Sequence, residues 1–453
     1  MRYVSTRGET PGLSFTDAVL TGLAPDGGLL IPDAIPQIGA KLDHWRALSF
    51  TELAAEIIEL FVDDIAADDL RALIHEAYSD FDHDEIVPFT RVGDVEVLEL
   101  FHGPTLAFKD VALQLLGRLF EYILAARGRH LNVLGATSGD TGSAAIAGVR
   151  GLDDVDIFVM YPHGRISPLQ ELQMTTVLDP NVHCLSVDGS FDDCQKLMKT
   201  IFGDLDFKDR YSLGAVNSVN WARVLAQIVY YGYASLLKGE SGPVTFCVPT
   251  GNFGNVFAGY LAKRMGFPIQ KLIVATNEND ILSMFFATGT YQRSDVRFTV
   301  TPAMDVQVAS NFERFLYYHM DADAPRLKRF MTEFAEFGKV AIEPPGSEDF
   351  AATAVSVADT VETIRQTYLK CGYIADPHTA VGLAAAGRFQ TNGTVICLAT
   401  AHPAKFPETV NAAIGAEVAL HPALQALEGR ESRTTHLPAS IDAIKAFIVN
   451  HAS

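Results

Sequence analysis

Short apolar runs, too brief to be helices, recur along this 453-residue chain and constrain its fold more than any other feature. They are Leu131-Asn132-Val133-Leu134, Ile157-Phe158-Val159-Met160, Val244-Thr245-Phe246-Cys247-Val248, Leu272-Ile273-Val274 and Val395-Ile396-Cys397-Leu398. None shows the in/out alternation of a strand with one wet face, so they predict strands buried on both sides, as in a parallel sheet. Helical patterns lie between them. Ser167-Pro168-Leu169-Gln170 is a cap with Pro at the first helical position, and a long helical run extends from Trp221 to Leu237. Strands alternating with helices predict an α/β fold with mostly parallel sheets.

The first ninety or so residues have a different texture and read as mainly helical. Ser49-Phe50-Thr51-Glu52 has capping-box spacing ahead of Leu53, Ile57, Leu60 and Phe61, and Asp68-Asp69 opens a second run through Leu70, Leu73 and Ile74. The acidic stretch Ser79-Asp80-Phe81-Asp82-His83-Asp84 closes this region. A chain of this length needs more than one core, so two or three domains are expected.

Charge narrows the partners. The formal net charge is −20, from 55 acidic and 35 basic side chains. Such a surface repels nucleic acid and anionic membranes. No apolar run is long enough to span a bilayer, and Met1-Arg2-Tyr3-Val4-Ser5-Thr6-Arg7 has no apolar signal core, which points to the cytoplasm. The five cysteines, Cys184, Cys194, Cys247, Cys371 and Cys397, are scattered, with no Cys-x-x-Cys pair, and read as reduced, mostly buried thiols. The 13 histidines show no metal-ligand spacing, so no metal is expected.

Two segments share the plan of strand, glycine-rich turn and helix. Leu131 to Thr137 leads into Ser138-Gly139-Asp140-Thr141-Gly142, and Val244 to Thr250 leads into Gly251-Asn252-Phe253-Gly254-Asn255 and a helix from Val256 to about Met265. A helix N-terminus presents unpaired N–H groups and partial positive charge, so both turns are candidate cradles for phosphate or carboxylate. Tight strand-to-helix turns would need glycine as well. Neither segment is a Walker loop or a dinucleotide fingerprint, which disfavours ATP and NAD.

Three further segments carry candidate chemistry. Lys109 follows Leu106-Ala107-Phe108 and opens an apolar helix with Val111, Leu115, Leu116 and Leu119. A lysine in apolar surroundings loses ammonium character, which Schiff-base chemistry requires, although most lysines at such a spot are surface residues or ion-pair partners. Asn217-Ser218-Val219-Asn220-Trp221-Ala222-Arg223 offers caps, donors and an arginine able to grip a phosphate, or simply a well-capped helix. Ala399-Thr400-Ala401-His402-Pro403-Ala404-Lys405-Phe406 follows the last apolar run, where a parallel strand opens on the usual ligand crevice.

Taken in order, these segments resemble the threonine synthase family, in its longer bacterial and fungal form. The resemblance runs nearly the whole chain. It includes Arg2 to Arg7, Ala24-Pro25-Asp26-Gly27-Gly28-Leu29, the Lys109 segment, both glycine turns, Asn217 to Arg223, Asp376-Pro377-His378-Thr379-Ala380-Val381-Gly382 and Ala401 to Phe406. It implies a fold type II pyridoxal-phosphate enzyme: two open, twisted, mostly parallel sheets with flanking helices, plus the helical N-terminal domain. The implied division is 1–93 for that domain, 94–130 with 230–453 for the large cofactor-binding domain, and 131–229 for the small domain.

The resemblance also implies roles. Lys109 is the Schiff-base lysine and proton shuttle, Gly251, Asn252, Phe253, Gly254 and Asn255 cradle the cofactor phosphate, and Thr400 meets the pyridine nitrogen. Ser138, Gly139, Asp140 and Thr141 receive the substrate carboxylate, and Asn217, Ser218 and Arg223 receive the substrate phosphate. The implied reaction turns O-phospho-L-homoserine and water into L-threonine and phosphate, with a small-molecule substrate and no obligate protein partner. Two alternatives stand beside it: a phospholyase or dehydratase yielding a 2-oxo acid, and a non-catalytic relative. One departure is local. Gly232 stands where the family usually has a bulky apolar residue, and glycine inside a helix costs roughly 1 kcal/mol against alanine.

Overall fold

A computed structural model describes residues 1–137 and 139–452. All five apolar runs are strands, and they divide between two sheets. The larger sheet has six strands in the order Phe350–Ala354, Ile269–Thr276, Val244–Pro249, Val395–Ala399, Val95–Glu99 and Phe89–Val92. Its first five strands run parallel, and Phe89–Val92 pairs antiparallel at the edge. The smaller sheet is wholly parallel, in the order Thr435–Leu437, Val182–Val187, Val155–Pro162, Leu131–Ala136 and Leu213–Gly214. Val155–Pro162 is buried at every position, which is why its sequence shows no alternation.

The helices follow from local signals. Ser49 caps Phe50–Glu59 through a full capping box with Glu52. Pro168 opens Pro168–Thr175, and Asn220 caps Trp221–Lys238 by accepting from the Ala222 N–H. Lys109–Arg127 ends where Gly128 turns left-handed at φ 56°. The N-terminal helices are not a separate core: Tyr3, Trp45, Phe120, Val133, Trp221 and Phe246 belong to one continuous apolar cluster.

The observed elements cut across the expected division in three places. Residues 89–92, expected in the helical N-terminal part, form the edge of the larger sheet. The 229/230 boundary falls inside the single helix Trp221–Lys238. Thr435–Leu437, expected with the larger sheet, pairs instead with Val182–Val187, and Ile444 and Ile448 of the helix Ile441–His451 join the core of the smaller sheet. Three residues without a strong apolar run gave no sequence signal for that strand.

Gly232 has a packing cause. A Cβ built there would lie 2.7 Å from Cζ of Phe267, so the aromatic ring fills the space that a larger residue would take. Four of the five cysteines are buried and Cys371 is exposed; all five are free thiols. Among the described residues no helix is long and apolar enough to cross a membrane.

Candidate active site

The two strand–turn–helix segments face one cleft. Lys109, Asp140, Thr141, Ser218, Arg223, Thr400 and the whole turn Gly251 to Asn255 line it. The sequence motifs, scattered over some 290 positions, therefore converge on one place. Of the remaining expected residues, Gly139 lies beside the cleft rather than on it: at φ 137° it packs where an added Cβ would meet Oε1 of Gln170 at 2.4 Å. Asn217 turns away, and its Nδ2 donates to Sδ of Met198 at 3.8 Å. Ser138 lies outside the described residues.

The cleft is fixed by a backbone clasp. The N–H of Phe108 donates to O of Thr400 at 2.9 Å, the N–H of His402 donates to O of Leu106 at 3.0 Å, and Ala107 bridges Ala401 antiparallel. The loop before Lys109 and the loop after the strand Val395–Ala399 are thereby one unit. Leu106 holds a left-handed φ of 60° to make this turn.

At the centre, Nζ of Lys109 donates to Oδ2 of Asp140 at 3.2 Å. Oδ1 of the same carboxylate meets Nζ of Lys405 at 3.2 Å and accepts from Nε2 of Gln170 at 2.8 Å. Burial lowers the Lys109 pKa, Asp140 opposes this, and the positive charges of Lys405 and Arg223 add to it. For Asp140 burial pushes the other way, but Lys405 and Lys109, with His378, outweigh it and hold the carboxyl far below its usual range. The result is a lysine biased toward the free amine against a permanently charged carboxylate.

The other end of the cleft is built for an anion. The helix Gly254–Met265 points its N-terminus into it, and Phe253 precedes that helix at a left-handed φ of 63°, wedged against Phe286, Phe312 and Phe315. A Cβ on Gly251 would sit 2.4 Å from O of Ala303, so backbone crosses backbone there with no room for a side chain. Asn255 accepts from the hydroxyls of Tyr230 at 2.6 Å and Tyr231 at 2.9 Å, while its Nδ2 is buried without a partner among the described residues. Arg223 donates from Nη1 to O of Val216 at 2.9 Å, and its Nε is likewise buried with no partner among the described residues. Burial brings its pKa down to about 10, so it remains a cation at neutral pH.

Four residues of the site were not singled out by sequence reasoning. His378 lines the cleft, and its Nδ1 lies 3.0 Å from Oδ1 of Asp376 while Nε2 is buried without a partner among the described residues. Lys405 is fully buried. Ala303 and Met304 come from a segment with no motif at all. His378 and Lys405 stood inside quoted motifs; what gave them no role is that their partners lie far away in sequence. Among the described residues no group of three or more His, Cys, Asp or Glu side chains could hold a metal ion.

The Asn255 amide and the Arg223 Nε, both without a partner among the described residues, lie with a helix N-terminus and a buried lysine on one cleft and fit a cofactor that carries both a phosphate and an aldehyde. Comparison with known proteins agrees. Residues 97–354 match the pyridoxal-phosphate dependent enzyme family, so the chain is a member of that class and has its fold type II architecture. Residues 2–78 match the threonine synthase N terminus and residues 379–448 the threonine synthase C-terminal family. Threonine synthase of Schizosaccharomyces pombe is 49% identical over 91% of this chain and 89% of its own length. That of Pseudomonas aeruginosa is 46% identical over 100% and 99%. The crystal structure of pyridoxal-phosphate-bound threonine synthase from Brucella melitensis superposes with a TM-score of 0.95 at 45% identity, covering 100% of this chain and 99% of that one. The chain belongs to the threonine synthase family.

Proposed function

We propose that this protein converts O-phospho-L-homoserine and water into L-threonine and phosphate. The observation that carries this reading is the single cleft in which a buried lysine, an opposed carboxylate and an anion-receiving helix end face one small molecule. Bound pyridoxal phosphate supplies an aldehyde that links to amines and a ring that draws electrons from the substrate's Cα. Lys109 Nζ is the nucleophile for that aldehyde. The turn Gly251 to Asn255 holds the cofactor phosphate, helped by the amide of Asn255. The Thr400 hydroxyl meets the ring nitrogen, and being neutral it leaves the ring less protonated than a carboxylate would.

The chain's own groups then act in sequence. Once the substrate amine has displaced it, Lys109 takes the proton from Cα, since burial favours its free amine. It would then take a proton from Cβ as phosphate leaves Cγ, deliver one to Cγ, and return one to Cα once water has added at Cβ. The N-terminus of the helix Asp140–Val149, with Gly139 to Thr141 and Ser138, receives the substrate carboxylate. Ser218 and Arg223 receive its phosphate. Buried free thiols suit a reducing compartment such as the cytoplasm.

The test is an assay of purified protein with O-phosphohomoserine that records threonine, 2-oxobutyrate and phosphate together. Threonine in step with phosphate supports this reading. Phosphate with 2-oxobutyrate as the main product replaces it with a lyase.

A further inference from the structure

Lys405 is a fully buried charge near the reaction. It sits on the loop after the strand Val395–Ala399 and has no exposed surface. Its Nζ donates to O of Thr105 at 2.7 Å and to Oε1 of Gln173 at 2.7 Å, and meets Oδ1 of Asp140 at 3.2 Å. Those partners belong to three different elements: the loop before Lys109, the helix Pro168–Thr175 and the helix Asp140–Val149. Two of the three ammonium donors of Lys405 are thus hydrogen-bonded, and the ion pair with Asp140 is its third contact.

We propose that Lys405 is a positioning residue for the reaction, holding Asp140 charged and in place across the cleft as the receiver of the Lys109 ammonium. This rests on the function proposed above. Each time Lys109 leaves the cofactor and picks up a proton it becomes a buried cation. A buried cation needs a paired, hydrogen-bonded anion at hand. Asp140 Oδ2 is that anion, 3.2 Å away. A lone buried carboxylate would itself take up a proton and lose this capacity. Lys405 prevents that by sitting on Oδ1, while Gln170 fixes the same oxygen by a second bond. One carboxylate thus faces two ammonium groups: a fixed one that never reacts, and one that comes and goes.

The fixed charge also disfavours a proton on either member of the Lys109–Asp140 pair, so removing it makes the pair as a whole harder to deprotonate. The charged groups facing this cluster are Asp140, Lys109, Asp110, Arg223 and His378. Among the described residues of this group, only Lys109 has a hydrogen bond to Asp140, and it is the group that comes and goes.

The experiment uses cofactor-loaded protein with Lys405→Gln, which keeps a donor for Thr105 without the charge, and Lys405→Arg, which keeps the charge. Two quantities are read: the pH profile of kcat/KM for threonine formation, and the pH titration of the bound cofactor's visible absorbance without substrate. In Lys405→Gln the acid limb of the profile is expected to move up by about one pH unit or more, the absorbance titration to move the same way, and Lys405→Arg to stay near wild type. A Lys405→Gln protein with both midpoints unchanged makes Lys405 a structural pin only and overturns the proposal. If Lys405→Gln does not fold, Asp140→Asn reads the same coupling with opposite sign: the acid limb moves down, and an unmoved limb is equally fatal. Failure of the functional reading looks different, because wild-type protein itself then makes no threonine, while the absorbance titration still reports on Lys405.

Discussion

Gly117 and Gly148 touch backbone to backbone: a Cβ built on Gly117 would lie 1.8 Å from O of Gly148, and one built on Gly148 would lie 2.4 Å from O of Leu113. The helices they belong to, Lys109–Arg127 and Asp140–Val149, each begin with one half of the central ion pair. Their close approach sets how far Lys109 stands from Asp140. Gly117→Ala should force the helices apart and cost about 3 kcal/mol of stability, as overpacking against rigid backbone does. Urea unfolding measures it, and an unchanged midpoint would show that the contact yields freely.

Lys109→Ala should leave a folded protein with threonine formation down by roughly 1,000-fold or more, since the proposed function makes Lys109 both the cofactor's attachment point and the main proton carrier. Circular dichroism checks the fold and product analysis the rate. Full activity in this variant would end the assignment.

Gly251→Ala adds a methyl where Ala303 O already stands at 2.4 Å. The turn must shift, taking its N–H groups away from the phosphate. Affinity for pyridoxal phosphate is expected to fall roughly tenfold or more, about 1.4 kcal/mol. Fluorescence titration of apoprotein with the cofactor reads this directly.

Gly232→Ala should lower stability by about 1–2 kcal/mol although alanine is the better helix former, because its methyl meets the Phe267 ring at 2.7 Å. Pairing it with Phe267→Leu should recover part of the loss. A double-mutant cycle with no coupling between the two positions would refute this explanation of the glycine.

Asp110 gives a pH dependence of defined sign. Its carboxylate is fully buried and accepts from the N–H of Thr105 at 2.8 Å and the Thr105 hydroxyl at 2.6 Å, yet burial raises its pKa from 3.8 to about 6. The folded state therefore binds the proton more tightly than the unfolded state. This group's contribution is greatest below about pH 4 and declines as pH rises through about 6, by up to roughly 3 kcal/mol. The wild-type minus Asp110→Asn difference in unfolding free energy should fall across that window and be flat above it. A difference that is flat from pH 4 to 7 would remove Asp110 as the cause.

The sequence made some of this legible and hid the rest for physical reasons. Val155–Pro162 and Val244–Pro249 announce themselves because both faces are buried, and burial writes an uninterrupted apolar run. Lys109 and the turn at Gly251 are legible because local chemistry, a lysine at a helix start and a glycine-rich strand-to-helix turn, already limits what they can do. Lys405 is not legible in that way. What makes it more than a loop lysine is Asp140, Gln173 and Thr105, between 232 and 300 positions away along the chain. His378 is hidden for the same reason, since an unpartnered Nε2 exists only once the cleft exists around it. Asn217 shows the converse error: a side chain of the right chemistry, next to residues that do line the cleft, points at Met198 instead.

The strand Thr435–Leu437 has a consequence for the order of events during synthesis. It pairs with Val182–Val187, which leaves the ribosome some 250 residues earlier. Through that interval the edge of the smaller sheet stands open, with its backbone donors and acceptors offered to any passing strand. The half of the molecule that presents Asp140 therefore emerges early and is sealed late, and a nascent chain stalled before residue 435 should be the species most in need of a chaperone.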